Sequence, residues 1–102
     1  MLNNQKVKLD KNNILQYIIN ILEILDSIDD WTKSNLELII RSYCQQNNIN
    51  LRDMSYAIRI CTTGKPTGVG IFDVLDILGK TSVINRIKRA VSQAQTNSSP
   101  KE

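Results

Sequence analysis

The sequence predicts an all-α fold, a small bundle or cage of about five helices. Three observations carry this. Apolar residues recur at helical spacing through most of the chain; residues that start or stop helices bound each stretch; and no run alternates apolar and polar residues as a half-buried strand would. The 102 residues suffice for one small domain or one piece of a larger protein, and 41% hydrophobic content is enough for a modest core. With one Trp, three Tyr and one Phe, that core must be built mainly of aliphatic side chains.

The elements follow in order. Residues 1–11 read as a flexible polar arm, residues 12–95 as the helical domain, and residues 96–102, rich in Ser and Asn, as a disordered tail. Asp10 and Asn12-Asn13 can cap a first helix. In it Ile14, Ile18, Ile21, Leu25 and Ile28 recur at spacings of four, three, four and three. Leu15, Ile19, Leu22 and Ile24 widen that stripe, which predicts burial on more than one side or a face turned to a partner. A second helix starts after Thr32 as N-cap, presents Leu36, Ile39, Ile40 and Tyr43, and stops at Asn47-Asn48, since asparagine tolerates the left-handed conformation. Asn50 caps a third helix, with Asp53 in its first turn, Met54, Ala57, Ile58 and Cys61 inward, and Gly64 past its end. A Pro/Gly loop, Lys65 to Gly70, leads to a short helix, Ile71–Leu78, closed by Gly79. Thr81 is expected to cap the last helix, with Ile84, Ile87, Val91 and Ala94 inward.

Charge is unevenly placed. Formal net charge is +3, but from Arg52 onward eight basic residues face four acidic ones, which points to an anionic partner. Two cysteines without metal-ligand spacing, and no secretory signal in view, predict free thiols in a reducing compartment, the cytoplasm or an organelle matrix. No apolar run reaches membrane-spanning length, so no membrane partner is expected.

Catalytic chemistry is sparse. The chain has no histidine, no phosphate-loop signature and no nucleophile elbow. Asp73 and Asp76 read as the exposed face of a short helix, and Gly68-Val69-Gly70 as a tight connection before a helix N-terminus. No catalytic and no metal residue is assigned.

One series of motifs is more specific than its parts. Trp31-Thr32 is followed by Leu36, then Ile58-Arg59, Thr63-Gly64, Ile71-Phe72-Asp73-Val74-Leu75, Leu78-Gly79-Lys80, and Arg86-Ile87 with Ala90. Between roughly Asp29 and Gln93 this order resembles the C-terminal anticodon-binding domain of bacterial-type glutamyl-tRNA synthetase, a class I enzyme. The resemblance implies an α-helical cage that grips a glutamate-type tRNA anticodon loop and so contributes to aminoacylation for protein synthesis. It implies contacts from Arg59 and from the loop and helix start that follow, hence from Lys65, Thr67 and Ile71. The family often carries Ser/Thr-Pro where this chain has Gly68-Val69, a departure that removes a hydroxyl and a rigid ring; Pro66-Thr67 is the candidate substitute.

Residue chemistry agrees with this picture. Splayed loop bases are read by hydrogen bonds, apolar platforms and guanidinium stacking, which arginine supplies and lysine does not. Without the resemblance, Arg59 would read as a surface salt-bridge partner, and Trp31 reads as a core anchor for a helix start. Arg86, Lys88 and Arg89 read equally as phosphate contacts or as a solvated helix face. The nucleotide-binding half of a synthetase has no counterpart in these residues, so no cofactor is expected here; ATP and Mg would belong to a parent catalytic domain, joined in cis or acting in trans. The rival reading is a free-standing helical interaction or dimerisation module without tRNA binding, resting on the wide stripe from Ile14 to Ile28.

Overall fold

In the computed structural model, which describes residues 7–65 and 67–98, the chain forms five α-helices: α1 (Ile14–Asp26), α2 (Lys33–Gln46), α3 (Leu51–Thr63), α4 (Ile71–Leu78) and α5 (Lys80–Ser98). Among the described residues there is no strand, only an isolated parallel bridge between Val7 and Ile49. Helix α5 lies against α1, α3 and α4, while α2 packs on α4 and α3. One aliphatic core results, in which Ile21, Leu25, Leu36, Ile40, Met54, Ile58, Leu75, Val83 and Ile87 are fully buried.

Local chemistry explains most boundaries. The Thr32 hydroxyl accepts from the Asn35 N–H at 3.3 Å, and the Asn50 side chain accepts from the Arg52 N–H at 2.8 Å. These satisfy N–H groups that a helix start leaves without partners. Asn48 takes the left-handed conformation at φ 55°, turning the chain so that Ile49 enters the core at 1% exposure. Gly64 ends α3 at φ 75°, its N–H donating to the Ile60 carbonyl at 3.0 Å; a side chain at that angle would be strained.

Several expectations need correction. Helix α5 begins at Lys80, so Thr81 lies inside its first turn. The Val83 N–H donates to the Gly79 carbonyl at 3.0 Å, which puts Gly79 where Thr81 was expected. Ala94 is exposed rather than inward. The expected N-terminal arm is held in its described part, 7–11: the Val7 N–H donates to the Asn48 carbonyl at 2.7 Å, and Leu9 packs against the core. At the other end α5 continues to Ser98, past the expected boundary at residue 95; the rest of the tail, like residues 1–6, lies outside the described residues.

The wide stripe on α1 is largely accounted for within the domain. Ile18, Ile21, Leu25 and the following Ile28 are buried, and Ile14, Leu22 and Ile24 pack against the core from its edge. Among the described residues the large hydrophobics left exposed are Leu38, Tyr56, Ile60, Val69 and Ile77, none of them on α1.

Away from the end of α3, three side-chain hydrogen bonds join elements distant in sequence. The Trp31 indole N–H donates to the Leu75 carbonyl at 2.9 Å, fixing the entry to α2 on the end of α4. The Lys80 ammonium donates to the Ile28 carbonyl at 2.7 Å, linking the start of α5 to the connection after α1. The Asn20 amide donates to the Tyr43 hydroxyl at 3.1 Å between α1 and α2. On the surface Lys33 pairs with Asp73 at 3.0 Å, and that hydrogen bond and charge raise the Lys33 pKa.

Ile87 is fully buried where α5 meets the other helices, whereas Leu38 is 63% exposed. Ile87→Ala is expected to cost about 2–5 kcal/mol in urea unfolding, and Leu38→Ala to stay within about 0.5 kcal/mol.

Candidate nucleic-acid interface

The end of α3 is built to keep its carbonyls occupied while leaving cations at its rim. The Thr62 hydroxyl, on a residue 3% exposed, donates to the Ile58 carbonyl at 2.9 Å, so a polar side chain enters the core without an unmet group. The Thr63 hydroxyl donates to the Arg59 carbonyl at 2.9 Å and accepts from the Lys65 N–H at 3.1 Å, which fixes the first residue of the loop. The Thr62 carbonyl, one of those a helix end leaves without a backbone donor, accepts from Arg86 Nη1 at 2.7 Å. Arg86 Nε donates to the Ser82 hydroxyl one turn earlier on α5 at 3.0 Å. A cation thus sits at the negative end of α3, where the helix dipole favours it.

Two hollows flank Arg86. The first, about 320 Å³, is lined by Arg59, Thr63, Lys65, Thr67, Gly68, Val69, Val74 and Arg86. The second, about 450 Å³, is lined by Cys61, Thr62, Ser82, Asn85, Arg86, Arg89 and Ala90. Neither lining includes an acidic residue. Among the described residues the ion pairs are Lys33–Asp73 and Arg41–Glu37, and Arg59, Lys65, Arg86 and Arg89 take part in neither. Burial raises the pKa of the Cys61 thiol, so it meets the second hollow as a neutral group.

The structure therefore brings together Arg59, Lys65, Thr67 and Arg86, and sets Arg89 beside them across Arg86. Two expected residues stand apart. Ile71 is 5% exposed and belongs to the core, so it supports the start of α4 from beneath and offers no apolar platform. Lys88 is exposed and lines neither hollow. Residues three apart share a helix face and residues two apart do not, so Arg89 joins Arg86 and Lys88 points away. The sequence reading missed Val69, which is 62% exposed on the loop and lines the first hollow; an apolar residue inside an otherwise polar loop was its signal. It also missed Thr63, whose hydroxyl orders the loop.

A third hollow, about 520 Å³, lies between α3 on one side and Leu9-Asp10 with the start of α1 on the other, lined largely by apolar side chains including Ile14, Ile18, Tyr56 and Ile60. Its chemistry differs from that of the basic pair. Among the described residues no group of three or more Cys, Asp or Glu side chains is placed to hold a metal ion, and no helix is long and apolar enough to cross a membrane.

The described residues thus form an all-α domain with an acid-free basic cleft at the end of α3. The chain belongs to the anticodon binding domain family, whose sequence model it matches over residues 1–91, a longer span than the motif series, taking in the N-terminal segment as well. It is similar to the glutamate–tRNA ligase of Flavobacterium psychrophilum, at 32% identity over 71% of this chain and 14% of that protein. It is likewise similar to those of Afipia carboxidovorans, at 36% identity over 63% of this chain and 14% of the relative, and of Nitrobacter winogradskyi, at 38% over 62% and 13%. The chain thus aligns with about one seventh of the length of these relatives, from 13% to 14%. No solved structure matches it.

Arg86 ties α5 to α3 through two acceptors at once. Arg86→Ala leaves the Thr62 carbonyl without that donor and is expected to cost about 1 kcal/mol in chemical unfolding. Arg86→Lys should recover only part of this, because an ammonium lacks the planar fork that spans both acceptors.

Proposed function

We propose that this chain is a tRNA-binding module that reads the anticodon loop of a glutamate-type tRNA and so serves the aminoacylation carried out by glutamate–tRNA ligases. The observation that carries the reading is the convergence of Arg59, Lys65, Thr67 and Arg86 on one acid-free hollow in a chain of the anticodon binding domain family.

The mechanism follows from the residue types. Bases in an anticodon loop are unstacked, and their faces and edges can be reached. Arg59 supplies a planar guanidinium for stacking or for forked hydrogen bonds to a base edge. Val69 supplies an exposed apolar surface beside it, in the role first expected of Ile71. Thr67 supplies a hydroxyl that both donates and accepts. Arg86 has donors beyond those engaged by Ser82 and Thr62, and Arg89 lies on the same face of α5; these two meet phosphates, which fix register without carrying sequence information. Arg59, Lys65, Arg86 and Arg89 together draw the polyanion to this end of the domain.

Activation of glutamate with ATP and Mg belongs in this reading to a catalytic domain, joined in cis or supplied in trans, and the site of action is the cytoplasm. The chain itself contributes recognition and no bond-making step. Most of the α1 stripe is covered by the domain's own helices, with Leu15 and Ile19 left half-buried, which weakens the support for a dimerisation module.

Arg59→Ala is expected to weaken binding to a glutamate-type tRNA about tenfold while changing the affinity for a tRNA with a different anticodon far less. Arg89→Ala is expected to weaken both alike and to reduce the salt dependence of binding by about one phosphate contact, with Lys88→Ala giving a smaller change than Arg89→Ala. Fluorescence titration at several salt concentrations checks both; equal affinity of the unaltered chain for tRNA and for an unstructured RNA of the same length would contradict the proposal.

A further inference from the structure

Arg59 and Arg86 both face the first hollow, but they are held differently. Arg86 is fixed by hydrogen bonds to Ser82 and to the Thr62 carbonyl. Arg59 forms neither a hydrogen bond from its guanidinium nor an ion pair among the described residues, so its position depends on what it packs against. That surface includes Gly68, whose backbone stands at φ +148°; a Cβ built there would meet Arg59 Nη1 at 3.3 Å. The atom met is the far end of a flexible side chain, so an added methyl group moves the guanidinium rather than breaking the core. The positive φ adds backbone strain for any residue but glycine.

The geometry points to Gly68 as a positioning residue: the absent side chain lets the Arg59 guanidinium lie on the loop backbone and thereby sets which anticodon-loop base the hollow accepts. This rests on the tRNA reading above. The Gly68-Val69 departure then becomes a change in how the base is met. A rigid, hydroxyl-bearing loop is replaced by bare backbone that carries the arginine, with Val69 exposed next to it. The ligand is a single splayed base, and the quantity set by Gly68 is discrimination between bases, with overall affinity for RNA supplied by Arg86 and Arg89.

The test uses the full 102-residue chain and two anticodon stem-loops, one with a glutamate anticodon and one differing by a single anticodon base. The readout is the ratio of their dissociation constants. Gly68→Ala is expected to reduce that ratio by roughly two- to threefold, less than the loss from Arg59→Ala, because the guanidinium is displaced and not removed. Gly64→Ala is the control for strain: Gly64 also has positive φ, at +75°, but nothing lies within 4 Å of its would-be Cβ, so it should lower the unfolding temperature and leave the ratio intact. In an Arg59→Ala background, Gly68→Ala should have no further effect. If it lowers the ratio by the same factor there, or leaves the ratio unchanged in the unaltered chain, the positioning role is overturned. If the unaltered chain fails to distinguish the two stem-loops, the anticodon reading itself falls, and this inference with it. Should Gly68→Ala not fold, the unaltered chain still decides: a nuclear Overhauser contact between the Gly68 α-protons and the Arg59 guanidinium supports the placement, and its absence refutes it.

Discussion

The Arg86 guanidinium holds the end of α3 to the middle of α5, and the character of the interface depends on that tie. Helix α5 is the element on which α1, α3 and α4 converge, while α3 delivers Arg59 and the loop that follows. By donating to the Thr62 carbonyl at 2.7 Å, Arg86 satisfies a group the helix end leaves open and brings positive charge to the negative pole of α3. One side chain thus serves packing, capping and charge placement. It also divides the basic surface into two hollows, one beside the loop and one beside Arg89.

That division suits the problem of reading an unpaired loop of RNA. Phosphates are attracted by any cation and give no selectivity, whereas bases require fixed groups of matching shape. The loop side carries the groups with shape: a guanidinium, a threonine hydroxyl and an exposed valine. The α5 side carries charge. Acids are kept from both linings, and Asp73, whose carboxylate lies 3.4 Å from the would-be Cβ of Gly70, is engaged by Lys33. A chain with a formal charge of only +3 thus gathers four of its cations, Arg59, Lys65, Arg86 and Arg89, on one face.

Much of the fold was legible in the sequence because its signals are local. The caps at Thr32 and Asn50, the stop at Asn47-Asn48 and the glycine after α3 each follow from one residue's own conformational preference. The apolar faces of α1 to α4 follow from spacing alone. Thr81 failed as a cap because the helix starts two residues earlier, where the chain leaves α4 through Gly79 and enters α5 with little loop between them. The N-terminal segment was misjudged because its hold is nonlocal: Val7 pairs with the turn at Asn48, a contact between distant residues that composition does not announce. At the site, Arg59 and the loop were found through motif order. The burial of Ile71 and the exposure of Val69 depend on which side of the α4 start faces the core, and that is decided by tertiary packing. The separation of Lys88 from Arg86 and Arg89 was available from helical spacing and was overlooked by treating three basic residues as one unit.

The central claim is that the loop after α3 and the adjoining face of α5 form one RNA-reading surface. Its most direct test is a map of backbone amide shifts as an anticodon stem-loop is titrated into the isotope-labelled chain. The account predicts perturbations concentrated at Arg59, Thr63, Lys65 and Thr67 to Gly70, and along Arg86 and Arg89. Shifts centred instead on Leu9, Tyr56 and Ile60 at the apolar hollow, with the loop unaffected, would contradict it.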